Sequence, residues 1–411
     1  MSKTIGRALA AMLLLWCFAS PAGATALEDA NAAADSGDYA KAMQLLRPLA
    51  EQGDAAAQYN LGIMYYAGQG VPRDAAEAAR WFGKAAEQGD LNAQYNLGVL
   101  YDQGLGVAQS DTEALKWYRR SADQGYALAE TNLGGMYDDG RAVPLDHAEA
   151  LRWYRKAAEQ GFAPAEFNLA AMYYNGQGVA QDTTEAIKWC RKAAEQGFAT
   201  AQSYLGQIYL DGPSKDYAES VKWFRKAADQ GNAEAAMNLG LRYQNGEGVP
   251  RDYAEAMKWY RRAAEHGSLG ATYGIGLLYD NGEGVTQDFG EAINWYRKAA
   301  EKGFAPAESN LGLMYETGKG VAKDYAQAAD WYRRAAEQGL PIAQHNLGNL
   351  YSNGRGVAQD RVRAYMWLSL SAARGGPDSE KIQQSLASAM SPIEITEAQR
   401  LAAEWKPGAA H

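Results

Sequence analysis

Residues 90–125 read DLNAQYNLGVLYDQGLGVAQSDTEALKWYRRSADQG, and most of the chain is this unit repeated. Trp117 has counterparts at Trp81, Trp153, Trp189, Trp223, Trp259, Trp295, Trp331 and Trp367. Successive members stand 36 residues apart, except for 34 between Trp189 and Trp223. Leu45 takes the same place in a degenerate first copy. A fixed period of this length marks a solenoid, in which each unit buries its apolar face against its neighbours. The 411 residues are therefore expected to form one continuous repeat array rather than two or three unlike domains.

Each unit reads as two helices. Ala93, Leu97 and Tyr101 are spaced i, i+4, i+8, which places them on one stripe of a first helix, A. Gly98 recurs at Gly62, Gly134, Gly206, Gly240, Gly276, Gly312 and Gly348. A glycine inside a helix costs about 1 kcal/mol against alanine, so a recurrent one predicts a neighbour too close for a side chain. The second helix, B, opens on capping-box spacing, as in Asp74-x-x-Glu77, Ser110-x-x-Glu113 and Asp146-x-x-Glu149. It closes on glycines such as Gly89, Gly125 and Gly161. Between A and B lies Gly-x-Gly-Val, as at Gly104/Gly106. A dinucleotide fingerprint follows a strand and carries a third glycine; this one follows a helix and recurs, so it reads as a turn.

The ends and two loops depart from the pattern. Asp211-Gly212-Pro213 shortens one loop, and Arg141-Ala142 breaks another. After Gly375-Gly376, residues 378–390 read as a helix, and Ser391-Pro392-Ile393-Glu394 opens a final one. Such atypical ends cover the exposed core of a solenoid. At the N-terminus, Lys3 and Arg7 precede an apolar stretch over residues 8–19 and then Ala24-Thr25-Ala26. This is the pattern of a cleavable secretory leader, too short for a membrane span. The expected organisation is a leader over residues 1–26, a solenoid over 27–375 and capping helices over 376–411, in a periplasmic or secreted product with no membrane span in the mature chain.

Composition excludes some classes. Hydrophobic content of 47% excludes a disordered chain, and a net charge of -9 without a long basic run disfavours nucleic acid. Without the leader, Cys190 is the sole cysteine, beside a repeat Trp, and reads as a small buried residue. The histidines, at 147, 266, 345 and 411, have no metal-ligand spacing. No serine-nucleophile elbow or Walker loop occurs, so neither catalysis, a metal nor a cofactor is called for.

The repeated Asn-Leu-Gly-x-x-Tyr, Gly-x-Gly-Val, Asp-x-x-x-Ala-x-x-Trp-Tyr and Lys-Ala-Ala-x-x-Gly resemble the Sel1-like repeat family, relatives of the tetratricopeptide repeats, over about residues 30–375. The resemblance implies an all-α, right-handed superhelical solenoid of about nine to ten helix-turn-helix repeats. It implies a scaffold or adaptor of the bacterial cell envelope that binds a protein or peptide on its concave face, as a monomer or weak oligomer. A structural or regulatory component of an envelope polysaccharide or secretion assembly is the alternative. Cysteine-rich relatives described as β-lactamase-like hydrolases carry a disulfide per repeat, which this chain lacks.

Candidate partner-binding residues come from helix A. Asn60, Asn96, Asn132, Asn168, Asn238, Asn310 and Asn346 flank the core stripe. In the related tetratricopeptide repeats the corresponding Asn often contacts peptide; here it could equally bond a neighbouring helix. Turned away from the stripe are Tyr59, Ile63 and Tyr66, then Tyr95 and Val99, with Phe167 and Tyr273 among later equivalents. The first two units are therefore expected to expose an apolar contact patch.

Overall fold

A computed structural model describes residues 24–408, apart from positions 214 and 377. The expected leader falls largely on residues 1–23, outside the described residues. Among the described residues there are 22 helices and no strand. The chain divides into two compact units between Leu205 and Gly206. The first holds α1 (Ala24–Asp35), α2 (Tyr39–Glu51), α3 (Ala55–Ala67), α4 (Ala75–Glu87), α5 (Leu91–Gln103), α6 (Asp111–Ala122), α7 (Ala127–Asp139), α8 (His147–Glu159), α9 (Ala163–Asn175) and α10 (Thr183–Glu195). The division falls within α11 (Ala199–Asp211). The second holds α12 (Tyr217–Asp229), α13 (Ala233–Asn245), α14 (Tyr253–Glu265), α15 (Leu269–Asn281), α16 (Phe289–Ala300), α17 (Ala305–Thr317), α18 (Tyr325–Glu337), α19 (Pro341–Asn353) and α20 (Arg361–Ala372). Two closing helices follow, α21 (Ser379–Ala387) and α22 (Pro392–Glu404). From α3 to α20, odd-numbered helices are A and even-numbered helices B, and the array is an α solenoid.

The recurrent helix A glycine does what its position predicts. A Cβ on Gly98 would lie 2.7 Å from Tyr118 Cδ1, and one on Gly240 would lie 2.6 Å from Tyr260 Cδ1. The glycine thus lets the aromatic ring of helix B lie flat against the helix A backbone. The second glycine of the turn has another task. Gly106 has φ +70, and a Cβ there would meet the Ala75 carbonyl carbon at 2.2 Å, so this turn seats on the start of the preceding helix B. Ala142 supplies the left-handed conformation at φ 58 in the loop that lacks this glycine.

The capping boxes are half present. Asp146 accepts from the amides of Ala148 and Glu149, as an N-cap should. The acid does not complete the box in the B helices. Glu149, Glu185, Glu219 and Glu255 instead accept from the indole Nε1 of Trp153, Trp189, Trp223 and Trp259. A largely buried indole N–H needs a partner, and the carboxylate one turn earlier is the nearest acceptor. Both halves of the box form at Ser391 and Glu394 of α22.

Side-chain rungs tie successive repeats. Gln94 donates to Ala86 O at 3.0 Å and accepts from Gln124 at 2.8 Å; Gln58 and Gln88 repeat the arrangement. Where helix A carries Glu instead, Gln160 donates to Glu130 and Gln196 to Glu166. A second series runs from helix B to the next helix A, as in Arg155 to the Tyr173 hydroxyl at 2.7 Å.

Candidate functional site on the helix A face

The expected apolar patch of the first two repeats is closed. Tyr59 and Tyr95 are 0% exposed, and Ile63 and Val99 are 1% exposed. Helix A lies between two B helices: that of the preceding repeat, which takes Ala93 and Leu97, and its own, which with the following helix A takes Tyr95 and Val99. Tyr59 and Ile63 accordingly join Ala78, Phe82 and Leu97 in one core cluster, and Tyr95 and Val99 join Tyr118, Leu128 and Leu133 in the next. Tyr59 lies 5.7 Å from the Phe82 ring, and Tyr95 meets Tyr126 edge-on at 5.3 Å. These residues are interior, which corrects the expectation that they await a partner. Tyr66 is half-buried, with the Arg73 guanidinium 5.2 Å from its ring centre. Phe167 is buried against Phe198 and Tyr204.

The asparagines favour the helix-bonding reading. Asn60 donates to Asn31 Oδ1 at 3.0 Å, Asn96 to the Tyr59 hydroxyl at 3.3 Å, and Asn310 to the Tyr273 hydroxyl at 3.3 Å. Asn132 stands beside the hydroxyls of Tyr95 and Tyr118, and Asn346 beside that of Tyr332. Asn168 and Asn238 are buried. Burial, with the Asp102 carboxylate alongside, holds the Tyr118 hydroxyl well above its ordinary pKa, so it stays protonated and donates to Asp102 Oδ2 at 3.3 Å.

The open part of the helix A surface lies in the second unit. The position after the packing glycine is Ile63, Val99, Gly135 and Ala171 in the first unit, all buried. In the second it is Gln207, Leu241, Leu277, Leu313 and Asn349, none of them buried. Leu313 is 44% exposed. Met237 and Tyr273, one turn earlier on their helices, are half-buried beside this row. Asp280 and Glu316 follow Leu277 and Leu313 by three residues, on the same helix faces. Their partners within the fold are the hydroxyls of Tyr296 and Tyr332. Sequence reading missed this row because it followed the aromatic residues. The available signal was the change from Ile, Val, Gly and Ala to three leucines at one repeat position.

One cluster has the composition of a hydrolytic site. His345 Nδ1 lies 2.9 Å from Ser379 Oγ, and Asn349 Nδ2 lies 2.8 Å from His345 Nε2. Ser379 is fully buried, however, and its hydroxyl donates to Ser371 Oγ at 2.8 Å. Ser371 in turn donates to Pro341 O at 2.7 Å. A nucleophile needs access to substrate, and this serine has none. The chain of bonds instead pins the start of α21 to α19 and α20.

The Sel1 repeat pattern is matched at residues 35–54, 55–90, 91–126, 127–162, 163–198, 199–232, 233–268, 270–304, 305–340 and 341–376. Among solved structures, c5321, a protective antigen present in uropathogenic Escherichia coli strains and displaying an SLR fold, is 33% identical with a TM-score of 0.55. That similarity spans 92% of this chain and 94% of that one. A Sel1 repeat protein from Oxalobacter formigenes is 32% identical with a TM-score of 0.64, over 75% of this chain and 90% of that one. No curated protein matches. Matched repeat by repeat over most of its length, the chain belongs to the Sel1 repeat family.

Proposed function

We propose that this protein is a non-catalytic scaffold that holds an extended segment of another polypeptide along the helix A row of its second unit. Solenoids built from such repeats generally mediate protein–protein interactions. The observation that carries the reading is the row Leu241, Leu277 and Leu313, one leucine per repeat at the same position, half-buried in the first two and 44% exposed in the third. Large apolar side chains in a line on a surface cost solubility unless something covers them. Asp280 and Glu316 beside the row give it a negative edge, so the segment that fits carries apolar side chains interspersed with Lys or Arg. The leader-like start, Lys3 and Arg7 before an apolar stretch and Ala24-Thr25-Ala26, supports export to the bacterial envelope or beyond.

The test is selection of a displayed random-peptide library on the full chain, with counter-selection on the Leu277→Glu/Leu313→Glu variant. Enrichment of apolar–basic peptides that the variant fails to bind is expected. A selected pool that binds wild type and variant equally would reject the row as the docking surface. Export is read separately, by intact mass of the protein recovered from the envelope fraction; retention of Met1 in a cytoplasmic product would reject it.

A further inference from the structure

Where one of the rungs between repeats is missing, among α14, α15 and α16, a cleft of about 450 Å³ opens. The pair that would form the rung is Thr272 and Lys302, where other repeats carry Gln94 and Gln124 or Glu166 and Gln196. Thr272 turns its hydroxyl back to Ser268 O at 2.8 Å, and so cannot reach across as Gln94 does. Ala264 reports the consequence. Its counterparts Ala86, Ala122, Ala158, Ala194, Ala228, Ala300 and Ala336 are buried, while Ala264 is partly open.

The neighbouring repeat shows that a missing rung need not leave a cleft. At Ala236 and His266 the glutamines are also absent, but Arg262 reaches back to Asp229, bonding its Oδ1 at 3.1 Å and its carbonyl at 2.9 Å. One repeat later the corresponding residues are Lys298 and Glu265. Lys298 does not make that reach; its Nζ sits 3.9 Å from the centre of the Trp295 ring. Trp295 is itself partly open, like Trp189 and Trp331, whereas Trp223 and Trp259 of the preceding repeats are buried.

The resulting cleft has an apolar wall of Trp295, Leu269 and Ala264. Arg261, Lys298 and Lys302 stand around it, against the carboxylates of Glu265 and Glu301. None of the three cations enters an ion pair among the described residues. A mostly apolar cleft with a few converging charges is the usual form of a small-molecule site. An indole face receives a flat ring, and an ammonium held against that face presents its remaining N–H groups to an anion.

We propose that this cleft is a binding site for a small ligand made of a flat-faced ring bearing a carboxylate, with the ring against Trp295 and the carboxylate on Lys298 and Lys302. The site shares no residue with the leucine row of helix A, so it stands or falls separately from the scaffold reading. A uronic-acid saccharide and an aromatic acid both carry this chemistry.

The test is calorimetric titration of the full chain with trigalacturonate, with phenylacetate, and with neutral galactotriose as the uncharged control. Saturable binding of at least one acid, at least tenfold tighter than the neutral sugar, is expected. Trigalacturonate alone identifies a saccharide ligand, phenylacetate alone an aromatic acid, and binding of both confirms the shared chemistry. The Thr272→Gln/Lys302→Gln variant rebuilds the rung seen at Gln94 and Gln124; it should retain helical circular dichroism and lose binding by at least about tenfold. Lys298→Ala, on an exposed side chain, should weaken binding without touching the rung. Absence of binding to either acid at millimolar concentration overturns the proposal. So does binding of galactotriose as tight as that of the acids, or full affinity in both variants.

Discussion

Helix A in the first unit and helix A in the second share a closing left-handed glycine and the same core stripe, yet one is interior and the other keeps an open edge. At the position after the packing glycine, Val99 is 1% exposed and Leu313 is 44% exposed. The residues before that position differ too. In the first unit Tyr59, Tyr95 and Phe167 are buried there, whereas in the second Met237 and Tyr273 are only half-buried. One or two positions per repeat thus decide whether the helix A face is core or surface, while the rest of the unit stays constant. The scaffold is specified by the repeat, and its contact surface by the departures from it.

The largest expected effect tests that difference directly. Tyr95→Ala should destabilise by about 3–5 kcal/mol, since it empties a fully buried ring site shared with Tyr118 and Tyr126. Leu313→Ala should change stability by no more than about 0.5 kcal/mol, because the side chain is largely in solvent. Urea denaturation followed by circular dichroism separates the two. Equal midpoints for the two variants would erase the distinction between closed and open faces.

A smaller effect separates the two forms of the rung. Gln94 donates its amide to Ala86 O, but Glu130, Glu166 and Glu308 have only carboxyl oxygens to offer at the same place. Burial raises the pKa of all three, partly countered by Lys156, Lys192 and Arg334 respectively. A carboxyl whose folded pKa lies above its unfolded value contributes most below the unfolded pKa, near 4.3, and loses that contribution as pH rises through the folded value. Glu130→Gln should therefore stabilise at pH 7, by about 1 kcal/mol for the hydrogen bond gained, and should have a smaller effect near pH 4. Thermal melts at the two pH values check it; destabilisation at pH 7 would show that the carboxylate is the better partner for Gln160.

The period, the helix pairs, the turn and the closing helices were all legible in the sequence, because glycine and N-cap chemistry act within a few residues. The destination of the outer side of helix A was not. Phase on one helix sets Tyr59 and Ile63 opposite Ala57 and Leu61, but does not show that Ala78 and Phe82 of their own helix B and Ala93 and Leu97 of the next repeat cover them. The same limit applies to Asn60, whose partner Asn31 lies on a helix before the first recognised repeat. It applies again to Glu149, whose spacing fits a capping box but whose carboxylate serves the Trp153 indole. In each case the deciding contact lies one turn or one repeat beyond the motif.

The smallest effect is expected at the C-terminal end, where α21 is held by polar bonds rather than by a row of buried aromatics. Ser371 spends its hydrogen on Pro341 O, and Ser379 spends its own on Ser371. Ser379 can then only accept from His345, so His345 Nδ1 carries the hydrogen and Nε2 accepts from Asn349. This chain requires a neutral ring, since a proton on Nε2 would face the Asn349 amide N–H. Burial lowers the His345 pKa from its ordinary value, and the nearby Asp378 carboxylate opposes it only in part. A histidine depressed in the folded state contributes stability above its unfolded pKa, near 6.5, and loses it as pH falls. Hydrogen exchange in α21, corrected for intrinsic rates, should therefore speed up between pH 7.5 and 5.5 (roughly a unit either side of that value), while exchange in α5 stays constant. His345→Gln should abolish the pH dependence while leaving α22 protected. Equal protection of α21 at both pH values would show that the serine pair alone secures the cap.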